Sequence, residues 1–168
     1  MSLHKLSTGV LVTGVGAPPG LGTVRSLKRA DNALKVIAAD RNPLAAGLFE
    51  PGIEARLLPP ASDAEAYRVA VHAICQAHQL DIVIPGSEAE AAALAPVARE
   101  WERAGLRVPD PDPEVLQFGI DKGLLLAHIS EAGLPHPLSL QPDSAAELES
   151  WQGEFPCVLK PRCSRGLR

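Results

Sequence analysis

A chain of 168 residues, 46% apolar and 4% aromatic, holds one domain, or one domain and part of another, with a core mainly of Leu, Val, Ile and Ala. Its net charge of −4, with no basic stripe along any predicted element, argues against nucleic acid as the main partner, and no apolar run nears the roughly 18 residues of a membrane span. The N-terminus lacks a signal-peptide core, and the three cysteines, Cys75, Cys157 and Cys163, form no C-x-x-C pair, which argues against a disulfide framework or zinc site and predicts a reduced, cytoplasmic setting.

Residues 9–15, GVLVTGV, predict a first strand buried on both faces, as in a parallel sheet. Gly14, Gly16, Gly20 and Gly22 follow and let the chain turn into a helix over 23–30. The spacing approaches a dinucleotide fingerprint, but a strict G-x-G-x-x-G needs glycine where Pro19 stands. Pro18 and Pro19 also remove two amides that a pyrophosphate would use. A glycine-rich βα turn is the favoured reading, with an NAD(P)-binding module as the alternative.

The second strand, 34–39, ends on Asp40, which either grips a ribose or closes the loop before Arg41-Asn42-Pro43; loop closure is favoured. A short helix near 43–48 and a strand at 55–58 follow. An amphipathic helix over 63–79 turns Tyr67, Val71, Ile74, Cys75 and His78 toward the sheet. The fourth strand is 81–85. Ser87 and Glu90 then form an S-x-x-E capping box, which occupies the Ser87 hydroxyl with a backbone amide. The helix they open runs to Gly105, with Pro96 expected to kink it. A fifth strand is predicted at 106–108. None of the five histidines forms an i, i+4 pair on a predicted helix, so no metal site is assigned. The alternation of strand and helix predicts an α/β fold: an open, mainly parallel sheet with helices on both faces.

Three prolines within 109–113 mark a boundary, dividing the chain into 1–110 and 111–168. Beyond it, 114–118 predicts one or two helical turns, and 121–131 a helix with Leu124, Leu125, His128 and Ile129 inward. Lys122 sits in that helix's first turn, against the dipole, which suits a nearby anion or a surface lysine offset by Asp121. Ser144 and Glu147 cap a helix to Trp151. Phe155, Cys157, Val158 and Leu159 then predict a buried strand ending on Lys160, before a loop with Arg162, Ser164, Arg165, Gly166 and Arg168. A lysine at a strand's mouth followed by a cationic loop suits a polyphosphate.

The stretch FPCVLKPRCSRG resembles the first phosphate-binding strand and loop of ATP-grasp enzymes, nearest the carbamoyl-phosphate-synthase large-subunit group. FGIDKGLLLAHISEAGLPHP resembles the helix that opens the ATP-grasp domain, and residues 11–109 resemble the domain that precedes it. The resemblance implies a Rossmann-like first domain followed by a partial ATP-grasp α+β lobe. It implies an ATP-dependent ligase that activates a small carboxylate or bicarbonate as an acyl phosphate for attack by a nucleophile. ATP and Mg2+ would be its cofactors, with Lys122, Lys160, Arg162, Ser164 and Gly166 at the nucleotide. The loop departs from the family: Ser164 stands where the first glycine is expected, and Gly166 is its only glycine. The metal carboxylates, adenine pocket and substrate arginine are expected beyond Arg168, so the chain by itself is expected not to turn over ATP. A homo-oligomer is compatible with this reading. A non-catalytic regulatory domain is a further alternative.

Overall fold

Four strands run parallel in the order β3-β2-β1-β4. They are β1 (Gly9–Val12), β2 (Lys35–Asp40), β3 (Glu54–Leu57) and β4 (Ile82–Ile84). The computed structural model describes residues 8–109, 113–151, 153 and 155–163. The chain divides into two units, Met1–Asp112 and Pro113–Arg168.

The central strands β1 and β2 of the first unit are buried on both faces because their side chains alternate between two cores. Val10 and Val12 of β1, with Val36 and Ala38 of β2, join Val24 and Leu48 on one side. Leu11, Ile37, Ala39 and Val83 join Tyr67, Val71, Cys75, Leu94 and Trp101 on the other. Helix α1 (Pro18–Ala30) supplies the first side; α2 (Ala64–His78) and α3 (Glu88–Arg103) supply the second. This is a Rossmann-like α/β fold. Among the described residues, no helix is long and apolar enough to cross a membrane.

Local chemistry sets the helix ends. Helix α1 begins at Pro18, not Thr23, because proline lacks only an amide that the first turn leaves unpaired anyway. Asp63 caps α2 by accepting from the Ala66 amide at 3.2 Å, and Gln79 ends it in the left-handed region at φ 52. Helix α3 continues through Pro96 from Glu88 to Arg103. The predicted crossover helix is a single 3-10 turn, Ala46–Phe49.

The strand expected at 106–108 is reduced to one parallel bridge between Ile82 and Arg107. It is held by Val83 donating to the Arg107 carbonyl at 2.9 Å and Arg107 donating to the Asp81 carbonyl at 2.8 Å. The strand expected to reach Val15 stops at Val12, because Gly14 turns the backbone to φ 61.

The second unit contains α4 (Pro113–Ile120), α5 (Lys122–Glu131) and α6 (Ala145–Glu149). Here the buried strand expected at 155–159 is corrected: the stretch has no regular structure, and Phe155, Val158 and Leu159 are 78%, 79% and 82% exposed. A strand exists only beside another, and the described residues of this unit hold just the antiparallel bridge Asp121–Cys163. Pro156 and Pro161 withhold amides at both ends of the run. The inward face expected on α5 is also corrected: Leu124, Leu125 and His128 are exposed, while Gly123 is buried. His128 instead stacks on Phe118, ring centres 4.6 Å apart.

Candidate functional site

Two places collect chemistry, one in each unit. In the first, the chain leaves β1 toward β2 on one side and returns to β4 on the other. The carboxyl ends of β1 and β4 therefore flank a topological switch point. Thr13 and Gly14 end one side, and Gly86 and Ser87 end the other. Backbone fills the space between them. A side chain on Gly86 would strike the Thr13 carbonyl, and one on Gly20 would come within 2.7 Å of the Gly14 carbonyl carbon. The glycines of this turn thus bring α1 and β4 against the end of β1.

Under that turn lies a buried polar chain. The Tyr67 hydroxyl donates to Thr13 Oγ1 at 3.0 Å, and Ser87 Oγ donates to Glu90 Oε2 at 3.0 Å. Thr13, the Gly86 amide and Tyr67 also engage the Glu90 carboxyl. Burial pushes the Glu90 carboxyl above the usual range, against the pull of Ser87 and Thr13, and Asp40 adds to the rise. Burial likewise raises the Tyr67 phenol.

The S-x-x-E spacing foretold the Ser87 cap, which accepts from the Glu90 amide at 3.3 Å. It did not foretell that the Glu90 side chain turns inward, 8% exposed, to join groups from β1 and α2. No local signal carries that information.

Glu90 keeps its proton longer in the folded chain than in the unfolded one. Its contribution to stability is full below the unfolded glutamate value near 4.3 and is lost as pH rises through the higher folded value. Glu90→Gln keeps the shape and removes the titration. Relative to wild type it should gain stability as pH rises from about 4 to 8, read from urea melts at each pH. A wild-type-minus-variant difference that is flat across that range refutes this account.

Asp40 closes the loop, the favoured expectation. Its two oxygens accept from the Gly16 amide at 2.7 Å and the Asn42 amide at 2.8 Å. Cys75 is buried, and burial pushes its thiol up to about 12, which suits packing and not nucleophilic work. His78 faces the sheet at its polar edge strand β3, away from the apolar cluster that holds Cys75. The ring meets Arg56 Nη2 at 3.0 Å and lies 3.7 Å from Glu54.

The second place is the start of α5. Asp121 caps the helix, with Oδ1 accepting from the amides of Gly123 at 2.9 Å and Leu124 at 3.1 Å. The same carboxylate receives Arg162 Nε at 2.9 and 3.0 Å, from 41 positions along the chain. The Lys122 amide donates to the Arg162 carbonyl at 3.0 Å. The backbone of the 160–163 stretch is thereby fixed to the helix start, and Gln141 and Arg162 lie over Gly123. Arg162 holds the Asp121 carboxyl below its ordinary range, and Asp121 raises the guanidinium in return.

Of the residues expected at a nucleotide, Lys122 and Arg162 come together here. Lys160 is exposed two positions before Arg162, while Ser164 and Gly166 lie outside the described residues. The amides of residues 122–124 are all paired within the chain, so the helix start offers cationic side chains and not an open amide cradle.

Several solved structures are similar to this one. The biotin carboxylase domain of a single-chain bacterial carboxylase is 23% identical, over 85% of this chain and 33% of its own, with a TM-score of 0.52. A dTDP-glucose 4,6-dehydratase from Bacillus anthracis str. Ames, in complex with NAD, is 11% identical over 60% of this chain and 36% of its own, TM-score 0.46. The NAD(P)-binding domain of an exopolyphosphatase-related protein from Archaeoglobus fulgidus is 20% identical over 74% of this chain and 98% of its own, TM-score 0.37. This chain thus spans about a third of the length of the first two. The likeness to the carboxylase domain is one of fold. No protein-family model matches the sequence, and no curated protein does.

Proposed function

We propose that this chain is the N-terminal part of an ATP-dependent ligase of the ATP-grasp type, resembling carbamoyl phosphate synthase and acting on a small carboxylate or bicarbonate. One observation carries the reading. The two segments that resemble the family's nucleotide-contacting motifs, distant in sequence, are joined by the Lys122 amide to Arg162 carbonyl bond and by the Asp121–Arg162 pair. The shared fold with a biotin carboxylase domain accords with it. The domain division proposed is 1–110 and 111–168.

Bound ATP would supply the phosphoryl group that activates the carboxylate toward a nucleophile, most simply an amine. The chain's own part is to bind and orient. Lys122 and Lys160 would set ammonium groups beside the phosphates and offset their charge, with Arg162, Ser164 and Gly166 proposed to assist. Among the described residues no group of three or more His, Cys, Asp or Glu side chains could hold a metal. The described residues thus supply no ready-made magnesium cage of their own.

The nicotinamide alternative draws less support. Asp40, the residue that would grip a ribose, is 7% exposed and already accepts from the Gly16 and Asn42 amides.

Titration calorimetry of the chain with ATP, NAD and NADP tests the proposal. ATP should bind, and Lys122→Ala and Lys160→Ala should each weaken it roughly tenfold, the worth of one hydrogen bond to a charged group. ATP affinity unchanged in the double variant, or NADP bound in preference to ATP, rejects the reading.

A further inference from the structure

We propose that Asp121 is an internal competitor for the anion site, holding Arg162 until a polyphosphate takes it away. The inference rests on the nucleotide reading above and adds a regulation of that site. Its ground is a division of labour between backbone and side chain. The loop is tied to α5 by backbone, through the Lys122 amide to the Arg162 carbonyl at 3.0 Å and the Asp121–Cys163 bridge. The Arg162 side chain is a separate matter. Its guanidinium lies on Asp121, yet the Arg162 side chain is 59% exposed, while the Asp121 side chain is 17% exposed.

An ion pair so open to water holds weakly, since water and salt screen it. Asp121 keeps a second task after losing Arg162, because Oδ1 still accepts from the Gly123 and Leu124 amides. The helix start therefore stays capped while the guanidinium moves. A triphosphate offers several charged oxygens, which suit the planar fork of arginine better than one carboxylate already shared with two amides. Asp143 is the other carboxylate acting on Arg162, at longer range, and Cys163 is the neighbouring thiol. The site thus carries its own weak occupant, which any weakly bound anion must displace.

Asparagine caps a helix as well as aspartate does. Asp121→Asn therefore removes the competing charge and spares α5, which amide exchange at Gly123 and Leu124 verifies. Calorimetry with inorganic tripolyphosphate should then show binding up to about fivefold tighter than wild type, the most that an exposed pair withholds. Arg162→Gln should weaken binding, and the double variant should match Arg162→Gln alone. In wild type, tripolyphosphate should also return the Asp121 carboxyl toward its ordinary titration, followed by NMR. Tripolyphosphate bound equally or more weakly by Asp121→Asn overturns the inference and leaves the nucleotide reading standing. No binding by any of the four proteins overturns both.

Discussion

Tyr67→Ala should lower the stability of the first unit by about 3–5 kcal/mol, the range for truncating a buried aromatic, whereas Tyr67→Phe should cost only about 0.5–1.5 kcal/mol. The side chain is 1% exposed and sits within the core between α2 and the sheet. Truncation to alanine removes the ring and leaves a cavity that the parallel strands cannot close around. Replacement by phenylalanine keeps the ring and removes the hydroxyl that donates to Thr13 Oγ1 and also engages the Glu90 carboxyl. Thr13 is itself fully buried and still has Glu90 as a partner, so the loss stays small. Urea melts followed by circular dichroism read both variants. Equal losses for Ala and Phe would show that the hydroxyl, and not the packed ring, supports this core.

Gly20→Ala and Gly22→Ala should move stability in opposite directions although the two glycines lie in the same helix. A methyl on Gly20 would come within 2.7 Å of the Gly14 carbonyl carbon and 2.9 Å of the Thr13 oxygen. Those atoms are backbone at the end of a buried strand and cannot rotate away, so α1 or the turn must shift. Overpacking of this kind costs about 1–3 kcal/mol and occasionally more. A methyl on Gly22 meets nothing within 4 Å, and alanine there restricts the unfolded chain, for a gain of about 0.4–1 kcal/mol. Thermal melts of the two single variants decide it. A neutral Gly20→Ala would mean that α1 does not lie against the β1 turn as described.

Both predictions fall on glycines and aromatics that the sequence marked without ranking. The first half of GVGAPPGLG was legible as a turn, whereas its PPGLG half opens α1, and Pro19 argued against a dinucleotide fingerprint. Which glycine a neighbour forbids from carrying a side chain was not legible, because the neighbour of Gly20 is the strand end at Thr13 and Gly14. The loop-closing role of Asp40 was the favoured reading, and the amides of Gly16 and Asn42 are where its oxygens go. Glu90 was legible as a helix-start residue only. Its proton affinity depends on Thr13, Ser87, Gly86 and Asp40, which lie on different elements.

The second unit shows the opposite case. Phe155, Cys157, Val158 and Leu159 carry the composition of a buried strand, yet they lie exposed, because strand propensity is a preference for a sheet that must come from elsewhere. The place of Lys122 in a first helical turn is local information, and α5 starts at Lys122.

Sequence by itself determined the alternation of strands and amphipathic helices and the caps at Ser87 and Ser144, since each depends on residues within a turn or a strand of one another. Tertiary structure alone decided the order β3-β2-β1-β4, the inward turn of Glu90 and the meeting of Arg162 with Asp121. Those contacts join groups far apart along the chain. Such contacts depend on how whole elements pack, and no local pattern of residue types encodes that.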